Sequence, residues 1–157
     1  MSQELITYII LGSHNRLKNL KTPVLDKSEE YIFANFKNKN EIVSKIDYLV
    51  TNASGRIIVL LPPSCIPDQR SKKALKKISM IDISTWGWFD VRSKENDIFS
   101  HIKKISTNIR SIPRLDQGIF FNKRLYFSIG GIGNFGANTF KEISKQLYSR
   151  IDPQNPL

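Results

Sequence analysis

The chain has 157 residues, 40% of them hydrophobic and 24% charged, an ordinary balance for a globular protein that buries a core. No apolar run approaches the ~20 residues of a membrane-spanning helix, and the single cysteine, Cys65, excludes an internal disulfide and fits a reducing cytoplasm. A net charge of +10 favours anionic partners such as nucleotides, nucleic acid or anionic lipid headgroups.

The first residues, MSQELITYIIL, carry Glu4 and no basic lead-in, which does not fit a secretory signal. Within them Leu5 to Leu11 reads as a buried strand ended by Gly12-Ser13. Residues 13–30 are polar, contain Pro23 and hold no sustained period, so a loop is expected. Tyr31 to Phe36 reads as a second strand. Asn40 can cap a helix whose apolar stripe is Ile42, Val43, Ile46, Leu49 and Val50, with Gly55 breaking it. Arg56 to Leu61 is the clearest strand, and its unbroken apolar content predicts a central place in a mostly parallel sheet. Pro62-Pro63 terminates it.

Pro67 and Asp68 open another helix, with Ala74, Leu75 and Ile78 inward. Its basic run, Arg70, Lys72, Lys73, Lys76 and Lys77, reads as a solvated face and, as a single-sign surface, as a contact for an anionic membrane. Trp86 to Val91 reads as a strand. Ile98, Ile102, Ile105 and Ile109 line one side of a further helix. Gly118 to Phe121 is a short apolar strand, and Leu125 to Ile129 begins the next element before a break at Gly130-Gly131. Phe140, Ile143 and Leu147 mark a helix that ends before Pro153. The alternation of strands and helices argues for an α/β fold. In such sheets ligands sit outside the carboxyl ends of the strands, so the loops after Gly12 and Leu61 are the first places to look.

Most isolated motifs have ordinary readings. Gly12-Ser13-His14-Asn15 could approach a phosphate through backbone amides, but it lacks P-loop spacing, and a plain turn explains it better. His14 and His101 lack metal spacing, Cys65 has no paired His, and Ser64 is not in a nucleophile elbow. Gly130, Gly131, Gly133 and Gly136 do not follow the dinucleotide fingerprint. With no zinc-finger, RNP-like or basic-zipper pattern, no specific nucleic-acid partner is expected. Asp90 and Arg92 are different: two apart on a strand, they share a face. Set among Trp86, Trp88 and Phe89, and followed by Asp116-Gln117, they suggest the lining of a cleft. An internal ion pair that positions neighbouring segments explains them equally well.

Three segments, GRIIVLLPPSCIP, WGWFDVR and LDQGIFFNKRLYFSIGGI, together resemble family 2 glycosyltransferases. Their nearest likeness is a bacterial branch carrying W-G-R-F-D-V-R, then G-D-Q-A-I-F-V-R-R and G-G-F. The likeness spans roughly Gly55 to Leu147. It implies a GT-A-like three-layer α/β sandwich with a mostly parallel sheet, formed by residues 1–151 as one domain with a loose tail at 152–157. It places Trp86, Asp90, Arg92, Asp116 and Gln117 near a donor or acceptor sugar. The departures are as informative. The branch ends its central strand in H-A-D-T, which holds a divalent cation; here Pro62, Pro63, Ser64 and Cys65 stand there, poor ligands for a hard cation. Its Glu-Asp base pair maps without gaps to Thr139 and Phe140, neither of which can act as a base near neutral pH. The N-terminal part also looks shortened by one strand–helix unit.

The resemblance therefore implies a glycosyltransferase-like protein with weakened or lost catalysis and no bound metal cofactor. If active, it would use cations such as Arg92 or Arg114 to offset diphosphate charge. The rival expectation is a non-catalytic module that binds a sugar, a nucleotide or a protein. Either would be cytoplasmic, with a possible peripheral station at the inner face of an anionic membrane.

Overall fold

Residues 6–18, 20, 26–35, 37, 39–62, 67–81, 83–89, 118–131, 139–151 and 153 are described by the computed structural model. Five strands form one sheet: β1 (Ile6–Gly12), β2 (Glu29–Asn35), β3 (Ile57–Leu61), β4 (Trp86–Trp88) and β5 (Ile119–Asn122), in the order β2-β1-β3-β5-β4. Helices α1 (His14–Lys18), α2 (Lys39–Asn52), α3 (Gln69–Met80), α4 (Lys123–Ser128) and α5 (Thr139–Tyr148) complete the described elements.

The expected α/β class holds, but the expected mostly parallel sheet does not. β1 pairs in parallel with β2 and with β3, whereas β5 runs antiparallel to both β3 and β4. An apolar run reports burial, not direction. The direction of β5 follows from where it begins: Gly118 lies level with Phe89, where β4 has ended, so the chain must run back down the sheet. β3 has the central position expected of it, the third of five strands, with every residue buried.

Strand alternation sorts the core into two clusters, one on each face of the sheet. On one face Ile9, Leu11, Ile58, Leu60, Trp86, Trp88, Ile119 and Phe121 meet Ile46 and Val50 of α2, Leu125 and Tyr126 of α4, and Ile143 and Leu147 of α5. On the other, Ile6, Tyr8, Ile57, Val59, Leu61, Phe89 and Phe120 meet Leu75 of α3, with Tyr31 and Ile78 alongside. Helices thus cover both faces. Other differences from expectation are local. The polar stretch after Ser13 contains α1, and β2 starts two residues earlier than the first apolar residue of its run. The strand expected to reach Val91 ends at Trp88, and the element expected to begin at Leu125, for which no type was expected, starts at Lys123 and is a helix. The helix expected over Ile98 to Ile109 lies outside the described residues, as does most of the 152–157 tail.

The turn at Gly130-Gly131 is a helix C-terminus. Gly131 N–H donates to Tyr126 O and Gly130 N–H to Phe127 O, closing α4 with both glycines at positive φ. Gly131 also sits against Asp47 of α2: a Cβ there would come 2.7 Å from Asp47 Oδ1, and the same carboxylate accepts the Tyr126 hydroxyl. At the base of the sheet Glu30 accepts from Thr7 Oγ1 (2.6 Å) and Ser54 N (2.9 Å), and Thr7 Oγ1 accepts from Gly55 N (2.9 Å). This ties the α2–β3 turn to β1 and β2.

The basic run on α3 is not one solvated face. Asp68 caps the helix by accepting from Ser71 N, which holds its carboxyl below the usual range. Lys72 is only 8% exposed; its Nζ lies 3.4 Å from Glu29 Oε2 and over the stacked rings of Tyr8 and Tyr31. Burial pushes the Lys72 ammonium down, and the Tyr31 hydroxyl and the Glu29 carboxylate beside it push it up by more, so it is raised overall. Burial, then the charge of Glu29, raises the Tyr8 phenol well above its ordinary value of 10.0. Neither tyrosine hydroxyl makes a hydrogen bond of good geometry. Lys76 pairs with Asp26 at the edge of this cluster.

Two expectations follow. Lys72→Met leaves Glu29 buried without its cation and is expected to cost about 3 kcal/mol in urea denaturation, whereas adding Glu29→Leu restores most of the loss. Lys72 and Tyr8 both have raised folded values, so the stability they confer is fully present below their ordinary values of 10.5 and 10.0 and is lost as pH rises past them. Thermal midpoints should stay level through neutral pH and fall above about pH 10, and fall less steeply there in Tyr8→Phe.

Candidate functional site

The parallel strands β1, β2 and β3 end on one rim of the sheet, with Gly12 level with Asn35 and Ile10 level with Leu61. β1 connects outward to β2, and the chain then crosses to β3 on the other side of β1. The boundary between β1 and β3 is therefore the point where strand order reverses, the place where open α/β sheets form a crevice. β4 also ends at this rim, and β5 starts there. The described residues at or next to the strand ends there include Gly12, His14, Asn35, Pro62, Phe89 and Gly118.

Gly118 is the built feature of the rim. Its φ is +73°, a conformation that side chains resist, and a Cβ would stand 2.6 Å from Leu61 Cδ2, 3.2 Å from Leu60 O and 3.2 Å from Phe89 Cδ2. The backbone therefore turns into β5 wedged between the end of β3 and the residue after β4. Beside the reversal point, between the ends of β1 and β2, Asn35 Nδ2 lies 3.4 Å from His14 Nδ1, both side chains exposed. An imidazole and an amide here can donate to a phosphate or a sugar hydroxyl. The pairing of Gly12 with Asn35 brings these two residues together although they stand 21 apart in sequence. From sequence His14 falls in a turn with no evident partner; only the strand register reveals one.

The sequence candidates divide into four groups. Pro62 is buried directly after β3 and presents no side-chain oxygen. Trp86 is fully buried at the start of β4, its indole N–H donating to Ile151 O at 2.9 Å and its ring edge-on to Tyr148 at 4.8 Å. It exposes no surface: it is level with Phe121 of β5 and its ring packs near Trp88 and Tyr148 in the core. Thr139 opens α5 and Phe140 follows it. Ser64, Asp90, Arg92, Asp116 and Gln117 lie outside the described residues, but the described residues nearest to them in sequence, Pro62, Phe89 and Gly118, are all on the rim. Among the described residues no three His, Cys, Asp or Glu side chains gather as a metal site, and no helix is long and apolar enough to cross a membrane.

A second feature lies at the opposite end of the sheet. Ser54, Gly55, Arg56, Asn122, Lys123, Arg124 and Phe127 line an open groove of about 430 Å³. The reversal of β5 creates it, because Ile57 is then level with Asn122. Asn122 caps α4 by accepting from Arg124 N at 2.9 Å. This cationic cluster is not legible in the sequence, since Arg56 and Lys123 meet only if β3 and β5 are antiparallel. Its donors are largely committed: Lys123 Nζ bonds Thr51 O and Ala53 O, Ser54 N bonds Glu30 and Gly55 N bonds Thr7. The rim is the better candidate. No family model matches the chain, and no curated protein matches it.

Gly118→Ala forces a left-handed Ala and overpacks Leu61 and Phe89, an expected loss of about 3 kcal/mol by urea denaturation. A loss below about 0.5 kcal/mol would mean that the wedge at the start of β5 is not tight.

Proposed function

We propose that the chain is a glycosyltransferase-like protein that takes a nucleotide-diphospho-sugar or glycan across the carboxyl-end rim of its sheet, with transfer chemistry weakened or lost. One observation carries the reading. Gly118 is wedged between Leu61 and Phe89, so the three segments that bear the resemblance to family 2 glycosyltransferases all leave or rejoin the sheet at one rim. A ligand there would have Asp116 and Gln117 just before Gly118, and Asp90 and Arg92 just after Phe89, in the chain.

Weakened catalysis follows from residue types. Pro62, Pro63, Ser64 and Cys65 replace the acidic motif that would hold a divalent cation, and Thr139 and Phe140 replace the carboxylate base. The second reading, a module that binds a sugar, nucleotide or protein without turnover, is favoured by the described rim itself. At the strand ends His14 and Asn35 offer hydrogen-bonding groups, while the described carboxylates in the helix starts that follow β2 and β3, Glu41 and Asp68, are engaged by Lys37 N and Ser71 N.

Isothermal titration with UDP-sugars and GDP-sugars, with and without Mn²⁺, tests the proposal. Binding of equal strength in both conditions is expected. Binding that requires Mn²⁺ would reinstate a cation site and contradict the reading of Pro62 to Cys65; no binding to any donor would remove the nucleotide-sugar reading. Where sugar release from a donor is detectable, Asp116→Asn is expected to abolish it.

A further inference from the structure

The exposed side of α3 ends in an apolar tip. Arg70, Lys73, Lys77 and Met80 follow one another at spacings of three, four and three, which sets them on a single stripe of the helix. The core-facing side holds Lys72, Leu75 and Ser79, so the stripe faces away from the sheet. Lys72 and Lys76 are taken by Glu29 and Asp26, which leaves Arg70, Lys73 and Lys77 as the exposed cations of this helix. Directly beyond them Met80 is 67% exposed, Ile81 53% and Ile83 59%. These are three of the six large hydrophobic residues exposed among the described residues, and they fall within four positions. Ile83 N donates to Ile81 O at 2.9 Å.

We propose that this surface docks the protein peripherally on an anionic lipid bilayer. Arg70, Lys73 and Lys77 would sit against the headgroups, while Met80, Ile81 and Ile83 enter the boundary with the acyl chains. Charge complementarity selects this occupant. A helix with a basic stripe and an apolar end matches the layered chemistry of such a membrane, anionic outside and hydrocarbon beneath. The chain's net charge of +10 adds long-range attraction to the same surface. Asp82 stands between the isoleucines in sequence and opposes the attraction there, so the cations lie along the helix and not at its tip. No described helix is long enough to span, so the contact is a surface one. The inference stands apart from the rim's ligand, because α3 carries its stripe on the side turned away from the sheet.

Sedimentation of the whole chain with vesicles tests it. One vesicle set is phosphatidylcholine alone and the other phosphatidylcholine mixed with phosphatidylglycerol. The protein is expected to pellet with the mixed vesicles only, and less as salt is raised. Lys73→Glu with Lys77→Glu should weaken binding by well over the roughly fivefold that losing one cation at the surface costs. Met80→Ser, Ile81→Ser and Ile83→Ser together should weaken it by a similar factor with little change in the thermal midpoint, because each of those side chains is already more than half exposed. No pelleting of the native chain, or pelleting that neither variant changes, would overturn the proposal. So would a dimer in solution that the serine variant dissociates while vesicles bind nothing, since a second copy would then be the occupant.

Discussion

The reversed strand β5 is the constraint on which the rest of the arrangement depends. It lies between β3 and β4 and is antiparallel to both, with Val59 level with Phe120 and Phe120 level with Gly87. Phe120 and Phe121 are fully buried on opposite faces, so this four-residue strand supplies a ring to each of the two core clusters. Burial of each phenyl is worth about 1.5–3 kcal/mol. Its direction also shapes both ends of the sheet. At the carboxyl rim it needs a residue without a Cβ, Gly118, and at the base it delivers Asn122, Lys123 and Arg124 beside Arg56.

The two faces solve different problems. On the side of α2, α4 and α5 the packing is mainly apolar and aromatic, with Phe121 stacked on Tyr126 and Trp86 edge-on to Tyr148. The side of α3 mixes apolar residues with a desolvated charge pair, Lys72 and Glu29, and with two phenols whose hydroxyls are buried. Such a pair contributes little net stability compared with apolar residues of the same shape, but it is costly to break one-sidedly. It sets the rotation of α3 about its own axis: with Lys72 held inward, Arg70, Lys73, Lys77 and Met80 turn outward.

Element type was readable wherever the hydrophobic pattern was strong. β1, β3, α2, α3 and α5 appear where the periodicity of Leu5 to Leu11, Arg56 to Leu61, Ile42 to Val50, Ala74 to Ile78 and Phe140 to Leu147 put them. Direction was not readable, because Ile119, Phe120 and Phe121 would be equally apolar in a parallel strand. The short α1 was missed, since five residues with no buried side chain leave no periodic trace. Lysine partners were missed for a different reason: Lys72 and Lys76 look like their neighbours in a charge run, and only Glu29 and Asp26, 43 and 50 residues away, distinguish them. At the rim, the positions of the loops after Gly12 and Leu61 were legible from strand order, whereas the contact of His14 with Asn35 needed the register. Trp86 reads from sequence as a wall of a cleft by its aromatic neighbours, and its own ring is packed in the core.

The central claim is that a ligand sits at the rim around Gly118 and not in the basic groove around Arg124. Amide chemical-shift mapping of the isotope-labelled chain, titrated with UDP-glucose and with GDP-mannose, separates the two directly. The account predicts that at least one donor shifts the amides of Gly12, His14, Asn35, Phe89 and Gly118 in a saturable way and leaves those of Ser54, Arg56, Lys123 and Arg124 in place. Saturable shifts confined to the second group would contradict it.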